Sequence, residues 1–340
     1  MVSLKMFYSK TPKIKDESGE VKPNSVTSLE KVLIGGIDQS VLIRGHDKGN
    51  PILLFLHGGP GSIEAPFAYK FQRDLEEHFI IVNWDQRGAG KSYSKKIPKE
   101  SMTIEQFILD AHELIQLLLN RFNQKKLFLV GHSWGSILGT LVVSRYPELI
   151  QAYVGIGQVV NILENEKVSY QYTIDQAKER GNKKALKQLK KLEPYPEKNT
   201  NDIKALRKQR KWLTKFGGVM HNGTSWWPYI KIALASPEYS LKDMIKVIGG
   251  LKFSIETMWA QMFEIDFPKQ IPELKVPVYV CMGRFDYNTP FELAEKYFNQ
   301  LQAPKKKFIW FENSAHMLNT EEVEKFHEFL IKEVLSNTTT

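Results

Sequence analysis

The chain reads as an α/β protein with a mostly parallel sheet covered by helices, into which a long helical segment is inserted. Three observations predict this. Nearly continuous apolar runs alternate with helical stretches up to about residue 157, and such runs fit strands buried on both faces of a parallel sheet. The same rhythm resumes near Val276 and closes with a helix from Val323 to Val334. Between these parts, from about residue 160 to 268, the pattern changes to long charged helical segments and aromatic-rich loops, broken by Pro194, Pro196, Gly217-Gly218 and Trp226-Trp227-Pro228-Tyr229.

Taken in order, residues 30 to 45 predict a hairpin, with Gly35-Gly36 as its turn. Pro51 to Leu56 and Phe79 to Trp84 are two buried strands. A helix starts at Ser101 or Thr103 and runs through Phe107, Ala111, Leu114, Ile115 and Leu118. Leu127 to Val130 is a strand, followed by a helix after Ser133 and a further strand at Ala152 to Ile156. Val276 to Gly283 and Lys307 to Phe311 are the last strands. The expected organisation is a flexible leader (1–28), a first core part (29–157), a helical cap (158–268), a second core part (269–336) and a frayed tail (337–340).

Composition excludes several function classes. The single cysteine, Cys281, lies in an apolar run, so neither an internal disulfide nor a clustered thiolate metal site can form. The eight histidines are scattered, without the His-x-x-x-His pair of a zinc protease, so neither metal nor cofactor is expected. The net charge of +9 comes largely from lysines and arginines between about 175 and 215. They read as a solvated helical face; no nucleic-acid motif accompanies them, and no nucleic-acid partner is expected. No run of about 18 apolar residues spans a membrane, and Met1 to Tyr8 lacks the apolar region of a signal peptide. A cytoplasmic location is expected, with a removed N-terminal anchor or signal left open, as is a homo-oligomeric state.

The chemistry centres on Gly131-His132-Ser133-Trp134-Gly135, between the strand at Leu127 to Val130 and the following helix. Strand, sharp turn and helix with serine at the apex is the context of a nucleophile elbow, which predicts a serine-dependent α/β hydrolase. The serine needs a base. An acid should follow a later strand and a histidine the strand after that. Asp286 follows the strand ending at Gly283, and His316 follows the strand ending at Phe311. Ser133, Asp286 and His316 are therefore the candidate triad. His132 competes as base, but neighbouring side chains diverge at an elbow, so it reads as packing below the turn. His57-Gly58-Gly59-Pro60-Gly61 follows the strand ending at Leu56. The backbone N–H groups of Gly59 and Trp134 are the candidate oxyanion hole, and Gly58 lies beside them as a candidate substrate contact. Gly88-Ala89-Gly90-Lys91-Ser92 ends like a phosphate loop but lacks its spacing.

With these motifs the chain resembles the prolyl iminopeptidase family of α/β hydrolases. The match rests on His57 to Gly61, Asn83-Trp84-Asp85-Gln86-Arg87-Gly88-Ala89-Gly90-Lys91-Ser92, Gly131 to Gly135, Gly283-Arg284-Phe285-Asp286 and His316. The resemblance implies the same triad and oxyanion amides, and structural roles for Asp85 and Arg87. It also implies release of an N-terminal residue, often proline, with the free α-amine met by acidic residues, mostly in the cap. Glu164, Glu166, Glu256, Glu264 and Asp266 are the candidate acids in the cap, and Trp259 near Glu256 and Glu264 is a candidate pocket wall. The chain departs from proline-specific members at Gly157 to Glu164, where a tryptophan-glutamate signature is missing. Serine at position 133 separates it from epoxide hydrolases of this fold, which generally use aspartate. The expected function is an aminopeptidase acting on short peptides through an acyl-enzyme. The alternative is a carboxylesterase or other small-molecule ester or amide hydrolase; a non-enzymatic role would leave a complete triad idle.

Overall fold

Eight strands form one sheet in the order β1-β2-β4-β3-β5-β6-β7-β8. They are β1 (Val26–Ile34), β2 (Ile37–Gly45), β3 (Ile52–Leu56), β4 (Ile80–Asp85), β5 (Leu127–His132), β6 (Ile150–Ile156), β7 (Val278–Gly283) and β8 (Lys306–Phe311). The computed structural model describes residues 8–196, 202–221, 223 and 225–336. The expected frayed tail at 337–340 and the first seven residues lie outside the described residues. The β1–β2 and β2–β4 pairs are antiparallel, and all pairs from β4 through β8 are parallel.

Side-chain alternation explains why the parallel strands read as continuous apolar runs. In β3, Ile52, Leu54 and Leu56 join the apolar cluster on one face, while Leu53 and Phe55 join the cluster on the other. β5 divides in the same way, Leu127 and Leu129 against Phe128 and Val130, and so does β7, Val278, Val280 and Met282 against Tyr279 and Cys281. A strand covered on both faces has no polar side to show.

The flanking helices follow the same logic. We number them α1 (Ala65–Phe71), α2 (Ile104–Phe122), α3 (Trp134–Arg145), α4 (Ile162–Glu179), α5 (Lys183–Lys190), α6 (Ile203–Lys215), α7 (Trp227–Ala235), α8 (Leu241–Met262), α9 (Phe267–Gln270), α10 (Phe291–Gln300), α11 (Leu318–Glu321) and α12 (Val323–Phe329). In α2 the Thr103 side chain accepts from the Gln106 N–H and caps the helix. Its buried residues Phe107, Ala111, Leu114, Ile115 and Leu118 form one stripe at helical spacing, and the helix ends at Asn123 in the left-handed conformation. Helices α4 to α9 all fall between β6 and β7. Among them α8 starts with a full capping box from Ser240 and Asp243.

The amino-terminal segment differs from a loose leader. Lys15 and Val21 form an isolated bridge, and β1 begins at Val26 rather than near residue 30. Ile14 is buried, and the buried Arg44 guanidinium donates to the Pro12 carbonyl at 2.6 Å. Arg44 also pairs with Glu76 at 2.7 Å. A buried cation brings a coil segment down to supply an acceptor that it needs, a signal that lies outside the segment's own composition.

One buried ion pair ties the first hairpin to the body. Arg87 donates to both carboxylate oxygens of Asp110, at 2.8 and 3.0 Å, and to the Gly35 carbonyl at 2.7 Å. Gln39 and Gln106 each donate to Asp110 at 2.7 Å. Both ionic side chains are fully buried. Asp110→Ala leaves the guanidinium without its counter-charge and is expected to cost about 3–5 kcal/mol. Urea unfolding followed by circular dichroism measures this; a loss below about 1 kcal/mol would show that the pair does not hold the hairpin.

Candidate active site

Parallel register gathers the functional loops. Adjacent strands β3, β5, β6, β7 and β8 run the same way, so the residues after their carboxyl ends meet at one edge of the sheet. Those residues are His57 to Gly61, Ser133, Gly157, Asp286 and His316.

Ser133 lies between β5 and α3 with φ 56° and ψ −118°, a conformation that non-glycine residues avoid. Its N–H donates to the Ile156 carbonyl at 2.9 Å. The turn is so tight that the chain nearly touches itself. A Cβ at Gly131 would stand 2.2 Å from the Gly135 carbonyl oxygen, and one at Gly135 would stand 1.9 Å from that of Leu56. The two glycines of the motif are thus required by close approach, and they hold Ser133 above the strand ends. Ser133 Oγ carries no hydrogen bond among the described residues.

His316 Nδ1 donates to Asp286 Oδ2 at 2.8 Å, and both side chains are buried. Asp286 is held on all sides: Oδ1 accepts from the N–H groups of Asn288 and Thr289 at 2.9 and 2.8 Å, and Oδ2 accepts from Thr289 Oγ1 at 2.7 Å. This leaves Nε2 of His316 free to take a proton. Gly157 lies beneath the imidazole, and a Cβ there would stand 2.8 Å from His316 Cε1 and Nδ1. His132 lies beside His316, its ring centroid 4.7 Å away, and its Nε2 donates to the His316 carbonyl at 3.0 Å. Burial and then the neighbouring His316 push the His132 pKa down to about 3. His132 is therefore a neutral donor that fixes the backbone of His316, without a carboxylate of its own.

A second network fixes the glycine loop after β3. His57 Nε2 accepts from the Gln86 N–H at 3.1 Å, while His57 Nδ1–H donates to the Gly58 carbonyl at 2.9 Å. Burial lowers the His57 pKa to about 4, which keeps this tautomer neutral. Gln86 donates to the His57 carbonyl at 3.1 Å and accepts from the Trp134 indole at 2.9 Å. The loop and the elbow are thereby tied together. Gly58 is buried, and a Cβ there would lie 3.2 Å from Ser133 Cβ. The N–H of Trp134 is the first of α3 and has no intrahelical acceptor; Gly59 has φ 111°.

Backbone hydrogen bonds from one loop of the inserted segment reach this edge. The Gly218 carbonyl accepts from the N–H groups of Tyr287 and Asn288, each at 3.1 Å, and the Val219 carbonyl accepts from the His316 N–H at 3.1 Å. The acids expected to meet substrate from these helices lie elsewhere. Glu164 is exposed and takes Lys167 Nζ at 2.8 Å. Glu164, Glu264 and Asp266 line an open cleft of about 790 Å³, which Ser133, Asp286 and His316 do not line. Glu256 lies on the surface of α8, 3.9 Å from Lys252. Trp259 is buried edge-on to Phe263 at 5.7 Å within the main apolar cluster. Glu166 is buried against Arg210 and Tyr195. The amphipathic pattern of α4 and α8 did not reveal which face turns toward the triad.

Glu64, which sequence reasoning passed over, lies just past the glycine loop before α1. Burial pushes its carboxyl up to about 7, offset in part by the Asn319 bond. Thr289 and Gly157 were passed over too. Thr289 had a local signal, three residues after an aspartate at a strand end; Gly157 had none, because its role exists only once β6 lies beside β7.

Comparisons with known proteins agree with this architecture. Residues 51–323 match the family model described as alpha/beta hydrolase fold. A Bacillus subtilis (strain 168) protein named "Probable aminopeptidase YbaC" is 36% identical over 304 residues, covering 89% of this chain and 94% of that one. A proline iminopeptidase of Heyndrickxia coagulans is 26% identical over 288 residues, covering 82% and 88%. The solved structure of a proline iminopeptidase-related protein from Thermus thermophilus superposes with a TM-score of 0.68 at 20% identity, over 92% of this chain and 98% of that one. With its sheet order, its serine elbow and a family match across both halves of the core, the chain belongs to the α/β hydrolase fold family.

Proposed function

We propose that this protein is a serine hydrolase that acts as an aminopeptidase, releasing proline or another small residue from the amino end of short peptides. The observation that carries the chemistry is the Asp286–His316 bond of 2.8 Å beside the strained turn at Ser133. The aminopeptidase reading draws on the names of the relatives. His316 Nε2 takes the proton from Ser133 as Oγ attacks the scissile carbonyl, and Asp286 holds the imidazole and stabilises its charged form. The N–H groups of Gly59 and Trp134 receive the oxyanion; loss of one such donor commonly costs about 3 kcal/mol. His316 then protonates the leaving amine, and water releases the acyl group.

The segment 158–268 would act as a cap over this edge. Among the described residues no helix is long and apolar enough to cross a membrane, and a cytoplasmic location belongs to the same reading. One observation favours the ester alternative: the glutamates first expected to receive an α-amine lie on the surface, line a separate cleft or, for Glu166, pair with Arg210.

Side-by-side hydrolysis of proline p-nitroanilide, its N-blocked form, alanine p-nitroanilide and p-nitrophenyl butyrate tests the reading. Among the anilides, cleavage of only those with a free amine is expected, and Ser133→Ala is expected to abolish it, together with any butyrate turnover, with an unchanged circular dichroism spectrum. Butyrate turnover without anilide cleavage would establish the esterase instead. Asp286→Asn keeps the shape of the site but removes the charge opposite His316. It is expected to lower kcat by about 10⁴-fold with a small change in KM; a loss below about tenfold would remove Asp286 from the triad.

A further inference from the structure

A substrate with a free α-amine presents an ammonium group beside the carbonyl that Ser133 would attack. A buried ammonium needs a carboxylate that has no cation of its own. Most acids of the inserted helices fail this requirement. Glu166 is neutralised by Arg210, Glu164 by Lys167 and Glu238 by Arg73 at 3.1 Å. Asp85, in the core, already accepts from Tyr239 and the Lys91 N–H.

Glu64 is different. It sits at the end of the glycine loop whose Gly58 lies against Ser133, in the residue preceding α1, yet its side chain makes no capping bond to that helix. The one hydrogen-bond partner of its carboxylate among the described residues is Asn319 Nδ2, at 3.2 Å, on α11 three residues after His316. No lysine, arginine or histidine of the described residues pairs with it. Asn319 is itself buried, and its Oδ1 is one of three buried side-chain polar atoms without a partner among the described residues. The carboxylate therefore has a single donor, and the amide that supplies it leaves its own oxygen without a partner among the described residues. Tyr229 of α7 stands over this place. Its hydroxyl bonds Thr320 Oγ1 at 2.7 Å, its ring meets Phe67 edge-on at 6.1 Å, and its pKa is raised first by burial and in smaller part by the charges of Glu321 and Glu64.

We infer that Glu64, with Asn319 Oδ1, receives the α-ammonium of the substrate, so that amine recognition comes from the glycine-loop side of the site and from the loop after His316. This rests on the aminopeptidase reading above. An ammonium has three donors and no acceptor, and it matches a pair of open acceptors. It also supplies the counter-charge whose lack makes ionised Glu64 costly where it stands. Tyr229 and Phe67 would then border the ring of an N-terminal proline.

The test compares wild type, Glu64→Gln and Glu64→Asp on proline p-nitroanilide and p-nitrophenyl butyrate, with pyrrolidine hydrochloride as a competing cation. Glutamine keeps the volume of Glu64 and its acceptor for Asn319 Nδ2. The expected result is a rise in KM for the anilide of at least tenfold in Glu64→Gln, with kcat/KM for the anilide falling at least tenfold more than that for the butyrate. Glu64→Asp should recover part of the selectivity, and competitive inhibition by pyrrolidinium should weaken at least tenfold in Glu64→Gln. Equal losses on both substrates would assign Glu64 a structural role and overturn the inference. Wild-type anilide cleavage that Glu64→Gln leaves as it was would overturn it while the aminopeptidase reading stands. A wild type that cleaves only the butyrate would end both.

Discussion

The close crossing of β5, the Ser133 turn and α3 over β3 is the constraint on which the site depends. Gly131 and Gly135 leave no space for a Cβ, and Ser133 is held at a positive φ that its own side chain disfavours. Strain of that kind persists only where the surroundings over-determine it. Here they do so through apolar burial of α3 on nearly every side and through the Gln86 bridge, which bonds the Trp134 indole on one end and His57 on the other. The serine, the glycine loop and the segment after β4 are thus one rigid piece, and each fixes the conformation of the other two.

Much of this was legible in the chain. The period-two burial of β3, β5 and β7 leaves continuous apolar runs, and the elbow is local, contained in five residues between a strand and a helix. The positions of Asp286 and His316 were readable because each follows its own strand, so order along the chain translates into neighbourhood at the sheet edge. What stayed hidden depends on contacts between distant segments. Gly157 matters because β6 and β7 are neighbours, His132 because its ring reaches the backbone of His316, and Glu64 because α11 brings Asn319 against it. None of these leaves a pattern within a window of sequence.

The inserted helices show the same limit from the other direction. Their charged, amphipathic sequences place apolar residues inward, but inward means toward their own packing as often as toward a ligand. Trp259 and Phe263 serve the main core, and Glu166 with Arg210 and Tyr195 closes a buried network that fastens α4 to α6. Acidic residues there were attractive as amine acceptors by type alone; Glu164 and Glu166 each meet a basic side chain instead.

The carbonyls of Gly218 and Val219 accept hydrogen bonds from the backbone of Tyr287, Asn288 and His316. A lid is usually pictured as a door that swings clear of a finished site. In this molecule the loop at Gly218 and Val219 is fastened to the frame: lifting it would release the segments that carry Asp286 and His316. Along this edge, any opening of the inserted segment is mechanically opposed to keeping Asp286 and His316 in place.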